Sequence, residues 1–159
     1  MKVSIVMGSI SDIEIGNKVI RVLEKFEVNY EIRVISAHRT PYEAFKFAEN
    51  AEDNGTEVII AIAGKAAHLA GVIAGITPLP VIGIPAKSST MDGLDSLLSV
   101  VQMPKGVPVA TVAIDGGENG GILAVQILSV KYPELRQKLK EYKKEMAEEV
   151  VKMDKEINL

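Results

Sequence analysis

The segment Val58-Ile59-Ile60-Ala61-Ile62-Ala63 is apolar at every position, with no polar residue on either side of a strand pleat. A strand of this kind is buried on both faces, the pattern of a parallel sheet covered by helices above and below. The rest of the chain alternates strand-like and helix-like stretches around it. Lys2–Met7, Tyr30–Ile35, Val81–Ile84 and Val107–Ile114 read as further strands. Helical periodicity runs over Ile13–Phe26, with Ile15, Val19, Val22, Leu23 and Phe26 on one face. A second helix is expected over Tyr42–Asn54, with Phe45, Ala48 and Ala51 inward and Asn54-Gly55 as its stop signal. Small residues continue helically to about Ile76, and two more helices are expected over Asp92–Val101 and Ile122–Val130. Short connections between alternating elements predict an α/β fold: a doubly wound, parallel, five-stranded sheet in three layers with right-handed crossovers. No repeat or linker divides residues 1–159, so a single domain is expected.

Composition narrows the function classes. There is no cysteine, which removes disulfides, thiol nucleophiles and thiolate metal sites. The net charge of −3 provides no basic footprint for nucleic acid, and the absence of tryptophan leaves few stacking platforms. Although 47% of residues are hydrophobic, no run approaches the roughly 18 apolar residues of a membrane span. The first residues read as a strand rather than a targeting segment. A small-molecule ligand, no membrane partner and a cytoplasmic location are expected.

Ligands of open α/β sheets bind outside the carboxyl ends of the strands. Ser36-Ala37-His38-Arg39-Thr40-Pro41 falls on that edge, between the second strand and second helix, with Pro41 suited to the first helical turn. His38 is the candidate proton carrier, because imidazole moves protons near neutral pH. Arg39 offers a planar fork for phosphate or carboxylate, or else a surface ion pair with a helix acid. The first strand-to-helix loop, Gly8-Ser9-Ile10-Ser11-Asp12, presents glycine, two hydroxyls and a carboxylate. Asp12 serves there as a helix cap, as an acceptor for ribose hydroxyls, or as both. The loop is neither a Walker motif nor G-x-G-x-x-G, so neither ATP nor NAD is implied. Gly64-Lys65-Ala66-Ala67-His68-Leu69 brings the second histidine and unhindered backbone to the same rim, where they suit a flat ring. Ser88-Ser89-Thr90 and Gly116–Gly121 either close the pocket or are plain loops. No acid or histidine cluster has metal-ligand spacing, and no metal or cofactor is expected. The first and third strands end in Gly8-Ser9 and Ala63-Gly64, not in the acids a phosphoacceptor receiver needs.

Residues 131–159 differ in character, with 15 charged residues of 29, eight basic and seven acidic. Leu135, Leu139, Tyr142, Met146, Val150 and Met153 form a thin apolar stripe on one helix. Two readings stand: the helix packs on its own domain, or it lies on a neighbouring subunit.

Four motifs occur in order along the chain: Gly8-Ser9-x-Ser11-Asp12, Ser36–Pro41, Ala66-Ala67-His68-Leu69 and Gln102-Met103-Pro104-x-Gly106-Val107-Pro108. Together they closely resemble the PurE family, the N5-carboxyaminoimidazole ribonucleotide mutases of purine (IMP) biosynthesis, also described as phosphoribosylaminoimidazole carboxylase catalytic subunits. The resemblance implies a flavodoxin-like fold, a homo-octamer with sites between subunits, and an isomerase that needs no cofactor. It implies transfer of a carboxylate from the exocyclic nitrogen of an imidazole ribonucleotide to ring carbon C4 through trapped CO2, with His38 lending and recovering the proton. It places Ser9, Asp12 and Arg39 on the ribose phosphate with Ser11 and Ser36 nearby. Ala66, Ala67, His68 and Leu69 match the wall of the ring and CO2 pocket, beside Gly64. The family commonly carries a second glycine at Lys65 and a proline at Ala70; Lys65 is expected to face solvent. A sibling class carboxylates aminoimidazole ribonucleotide with CO2 directly, and Arg39 with Ala66–Leu69 favours the mutase.

Overall fold

The computed structural model describes residues 1–157. Five parallel strands, β1 (Lys2–Met7), β2 (Asn29–Val34), β3 (Val58–Gly64), β4 (Val81–Ala86) and β5 (Ala110–Thr111), lie in the order β2-β1-β3-β4-β5. They alternate with α1 (Ile13–Lys25), α2 (Pro41–Asn50), α3 (Leu69–Ala74), α4 (Leu94–Val101), α5 (Gly117–Leu128) and α6 (Pro133–Ile157). This is the flavodoxin-like order, in which the chain reverses its direction of winding between β1 and β3.

The period-2 pleat of β3 divides its side chains between two cores. Val58, Ile60 and Ile62 join Val3, Ile5 and Met7 of β1 against α1, α5 and the start of α6. Ile59, Ala61 and Ala63 face α2 and α3 with Val6. Full burial of a side chain such as Ile60 stabilises the fold by about 2–3 kcal/mol, which is why β3 tolerates no polar residue. The one polar side chain inside β1, Ser4, is fully buried and paired: its hydroxyl donates to Glu31 Oε1 at 2.6 Å and shares a hydrogen with Thr56 Oγ1 at 2.7 Å. Burial raises the Glu31 carboxyl, but the bonds from Ser4 and the Lys2 ammonium outweigh it and leave the group below its ordinary value.

Four expectations need correction. Phe45 points outward, 51% exposed, and the inward stripe is Ala44, Ala48 and Ala51. These alanines join the core cluster of Val6, Ile59, Ala61 and Leu69. The regular part of that helix also ends at Asn50, and a turn carries the chain to Gly55 at φ +78. The expected strand Val107–Ile114 pairs only at Ala110 and Thr111. Pro85 on β4 has no N–H to donate to the next rung, and the ladder resumes only where the Asp115 N–H reaches the Pro85 carbonyl at 2.9 Å.

The expected loop Gly116–Gly121 is mostly helix, because α5 begins at Gly117. A Cβ at Gly117 would stand 2.6 Å from the Ile15 carbonyl oxygen, and one at Gly121 2.8 Å from Val22 Cβ. The glycines are where α5 presses on α1, and they do not form a ligand loop.

The stripe on α6 divides. Leu135 and Leu139 are buried in the core, and Tyr142 meets Phe26 edge-to-face at 5.7 Å. Beyond that point Met146, Val150 and Met153 are exposed. The proximal half therefore packs on its own sheet, and the distal half has no cover from this chain.

Candidate active site

The carboxyl ends of β1 to β4 surround a cavity of about 590 Å³. Its floor is set by close strand packing: the Gly8 N–H donates to the Ile62 carbonyl at 2.9 Å, and the Ile35 N–H to Met7 at 2.9 Å. Four loops wall it, one after each strand, so the strand order decides which side chains are neighbours.

The loop after β2 closes on itself. The Ser36 N–H donates to Thr40 Oγ1 at 3.0 Å, the Thr40 hydroxyl donates back to the Ser36 carbonyl at 3.0 Å, and the Arg39 N–H donates to Ser36 Oγ at 3.2 Å. Pro41 occupies the first position of α2, as its fixed φ favours. His38 is held at the apex of this small ring. The Arg39 guanidinium reaches across to β1, donating from Nη2 to the Gly8 carbonyl at 3.0 Å and from Nε to Ser36 Oγ at 3.3 Å.

The loop after β1 makes a 3-10 turn over Ile10–Asp12, with Ser9 Oγ accepting from the Ser11 N–H at 3.3 Å. Asp12 stands at the N-terminus of α1, but its side chain makes no capping bond. Of the two roles open to Asp12, the cap is therefore not the one taken. Its carboxyl lies above the ordinary range: burial raises it most, the Ser9 backbone and Ser11 hydroxyl hydrogen bonds oppose this, and the Asp115 carboxylate raises it further.

The loop after β3 turns tightly, with Ala67 N–H on the Lys65 carbonyl at 2.9 Å and His68 N–H on the Ala66 carbonyl at 2.8 Å. These turns bring His68 Nδ1 to 3.0 Å from His38 Nε2, the rings crossing edge-to-face at 81°. One imidazole must donate and the other accept, so the neutral pair holds one N–H in the bond, and a single added proton still leaves the bond intact. Two histidines 30 residues apart in the chain thus form one proton-holding unit.

Nine of the expected residues line the cavity: Ser9, Ser11 and Asp12 from the first loop, Ser36, His38 and Arg39 from the second, and Gly64, Ala66 and Leu69 from the third. Ala67 is buried behind that wall, and His68 reaches the site through His38. Ser88 and Ser89 line the cavity, whereas Thr90 and Gly116–Gly121 are not among its lining residues. Lys65, expected in solvent, is exposed and also lines the cavity. Lys87 lines it without having been singled out, because β4 continues through Pro85 to Ala86 and so delivers Lys87 to the rim. Among the described residues no cluster of three or more acids and histidines is placed to hold a metal, and no helix is long and apolar enough to cross a membrane.

The chain is similar to known proteins along nearly its whole length. A protein of Thermotoga maritima called N5-carboxyaminoimidazole ribonucleotide mutase is 58% identical over 150 residues, covering 94% of this chain and 88% of the relative. A mutase of the same description from Pyrococcus abyssi is 59% identical over 145 residues, covering 91% of this chain and 83% of the relative. The crystal structure of Treponema denticola PurE superposes with a TM-score of 0.89 at 29% identity, covering 98% of this chain and 97% of that one. Residues 2–149, the whole sheet and every loop of the cavity, match the AIR carboxylase family, and the chain belongs to it.

Proposed function

We propose that the chain is an N5-carboxyaminoimidazole ribonucleotide mutase of purine biosynthesis. It converts 5-carboxyamino-1-(5-phosphoribosyl)imidazole to 5-amino-1-(5-phosphoribosyl)imidazole-4-carboxylate. The observation that carries the reading is the His38–His68 pair, bonded at 3.0 Å and set at a cavity that is also lined by hydroxyls and a guanidinium. Ser9, Ser11, Ser36 and Arg39 take the phosphate, and Asp12 accepts from the ribose hydroxyls. Gly64, Ala66, Ala67, His68 and Leu69 wall the ring.

His38 donates a proton to the exocyclic nitrogen as its bond to the carboxylate breaks and CO2 leaves. The pocket keeps CO2 in place while C4 of the ring attacks it, and His38 takes up the proton that C4 releases. The proton lent equals the proton recovered and the isomerisation involves no net oxidation or reduction of the molecule, so the step needs no external oxidant or reductant. Holding both fragments in register supplies the effective concentration the second step requires.

The exposed apolar face of α4, with Leu94, Leu98 and Val101, and the uncovered distal half of α6 support association of single-domain subunits in which α6 reaches a neighbour; the resemblance to the PurE family makes that assembly a homo-octamer. We place the enzyme in the cytoplasm, with CO2 as the only second molecule in the site. The family description also admits direct carboxylation of aminoimidazole ribonucleotide. Supplying the purified protein with the N5-carboxylated nucleotide, or with aminoimidazole ribonucleotide plus bicarbonate, separates the two without ATP. Efficient turnover of the first is expected; turnover of the second mixture alone rejects the mutase.

Asp12 provides a further test. Its raised carboxyl means that ionisation in the folded state costs stability at neutral pH. Asp12→Asn is therefore expected to raise Tm at pH 7, and the gap from wild type closes as pH falls through the folded-state value and the wild-type carboxyl takes up its proton. The same variant weakens nucleotide binding by about tenfold, the worth of one charge-assisted hydrogen bond. A variant less stable than wild type at pH 7 contradicts this account of Asp12.

A further inference from the structure

Lys65 is the first residue beyond β3, on the loop that walls the cavity. Its backbone is left-handed, with φ +55, a conformation that disfavours any side chain and that glycine adopts freely. The loop nevertheless carries a lysine there. Its carbonyl accepts from the Ala67 N–H at 2.9 Å and from the Ser99 hydroxyl at 3.5 Å, so the backbone is anchored on two sides.

Three cations line the cavity: Arg39, Lys65 and Lys87. Arg39 is already bonded to the Gly8 carbonyl and Ser36, and the Lys87 ammonium pairs with Asp92 at 3.3 Å. The Lys65 ammonium makes no ion pair or hydrogen bond among the described residues. It is thus the cation of the three that meets an incoming anion without first giving up a partner.

The proposed substrate carries two anionic groups, a phosphate at one end and the migrating carboxylate at the other. The hydroxyls and guanidinium suited to phosphate come from the loops after β1 and β2. Lys65 belongs to the β3 loop, three residues before His68, whose ring is bonded to His38. Lys65 and the proton carrier His38 therefore line one cavity, on the loops that the His38–His68 bond ties together. Resting on the mutase reading, we propose that Lys65 is a substrate-binding residue whose ammonium pairs with the migrating carboxylate in both substrate and product.

The pairing has a kinetic signature. The carboxylate is charged on nitrogen and charged on C4, but the CO2 between them is neutral. An ion pair made equally with substrate and product, and lost at the intermediate, strengthens ground-state binding without lowering the barrier. Lys65→Gly removes the ammonium and places the residue best suited to φ +55, so the loop keeps its conformation. Lys65→Arg keeps the charge.

The test measures binding of the 4-carboxylated nucleotide and of aminoimidazole ribonucleotide, which lacks the carboxylate, by calorimetry, together with KM and kcat. In Lys65→Gly, affinity for the carboxylated nucleotide is expected to fall about tenfold, as for one charge-assisted hydrogen bond. KM rises by a similar factor, kcat does not fall, and affinity for aminoimidazole ribonucleotide is unchanged. Lys65→Arg recovers most of the loss. Equal losses for the two nucleotides place the ammonium on the phosphate and overturn the proposal, as does no loss for either. If wild type itself binds neither nucleotide, the mutase reading fails first, an outcome distinct from either of these.

Discussion

Replacing His38 by asparagine is expected to lower kcat by about a thousandfold, or about 4 kcal/mol in the barrier, while nucleotide affinity stays within about threefold of wild type. The reasoning rests on placement. His38 sits at the apex of a loop closed by Ser36 and Thr40 backbone and hydroxyl bonds, none of which uses the imidazole. Asparagine is small enough to occupy the apex without opening that ring, so the Arg39 and Ser36 contacts persist. What is lost is the group that both gives and takes a proton; an amide does neither near neutral pH. Steady-state turnover and calorimetric binding on the same preparation separate the two effects. A variant that turns over at the wild-type rate refutes the role of His38, and one that no longer binds reassigns it to positioning the nucleotide.

The second large effect is on stability. Gly117→Ala is expected to lower Tm by about 4–8 °C, corresponding to about 2 kcal/mol for a chain of this size. A Cβ there meets the Ile15 carbonyl oxygen at 2.6 Å and Lys18 Cβ at 2.7 Å. A helix carbonyl cannot retreat unless α1 moves, and overpacking of this kind costs about 1–3 kcal/mol. The gain in helix propensity from glycine to alanine, about 1 kcal/mol at most, is smaller still at the first turn, so the clash wins. Gly75→Ala is the matched control. Gly75 has φ −74, and its Cβ would find only ordinary contacts of 3.5 Å and 3.6 Å. Tm is expected to hold or rise slightly there. Melts at one protein concentration make the comparison, since association shifts apparent stability. Equal Tm for wild type and Gly117→Ala removes the argument that glycine is required for the α1–α5 contact.

Where the sequence pattern was strong, it carried through to the fold. An uninterrupted apolar β3 requires helices on both faces, and alternation with helical stretches requires parallel strands. Pro41 at a helix start and hydroxyls after strand ends then locate a site edge before any coordinates. The misread residues share a cause. Phe45 and Ala44 are neighbours on one helix, and hydrophobicity alone favours the larger; only the way α2 is turned against its neighbours buries the alanine and leaves the ring exposed. The glycines 117, 120 and 121 look like a flexible loop in one dimension and are contact points of packed elements in three.

The sheet, its two cores and the edge on which chemistry sits are legible in the residues alone, because they follow from periodicity and from local turn chemistry. The tertiary structure alone decided which groups act together. Whether His38 meets His68, whether Asp12 caps its helix, and whether Lys65 reaches the cavity depend on strand order and on backbone angles at loop residues. Those are set by packing between segments far apart in the chain, and a single sequence carries no local signal of them.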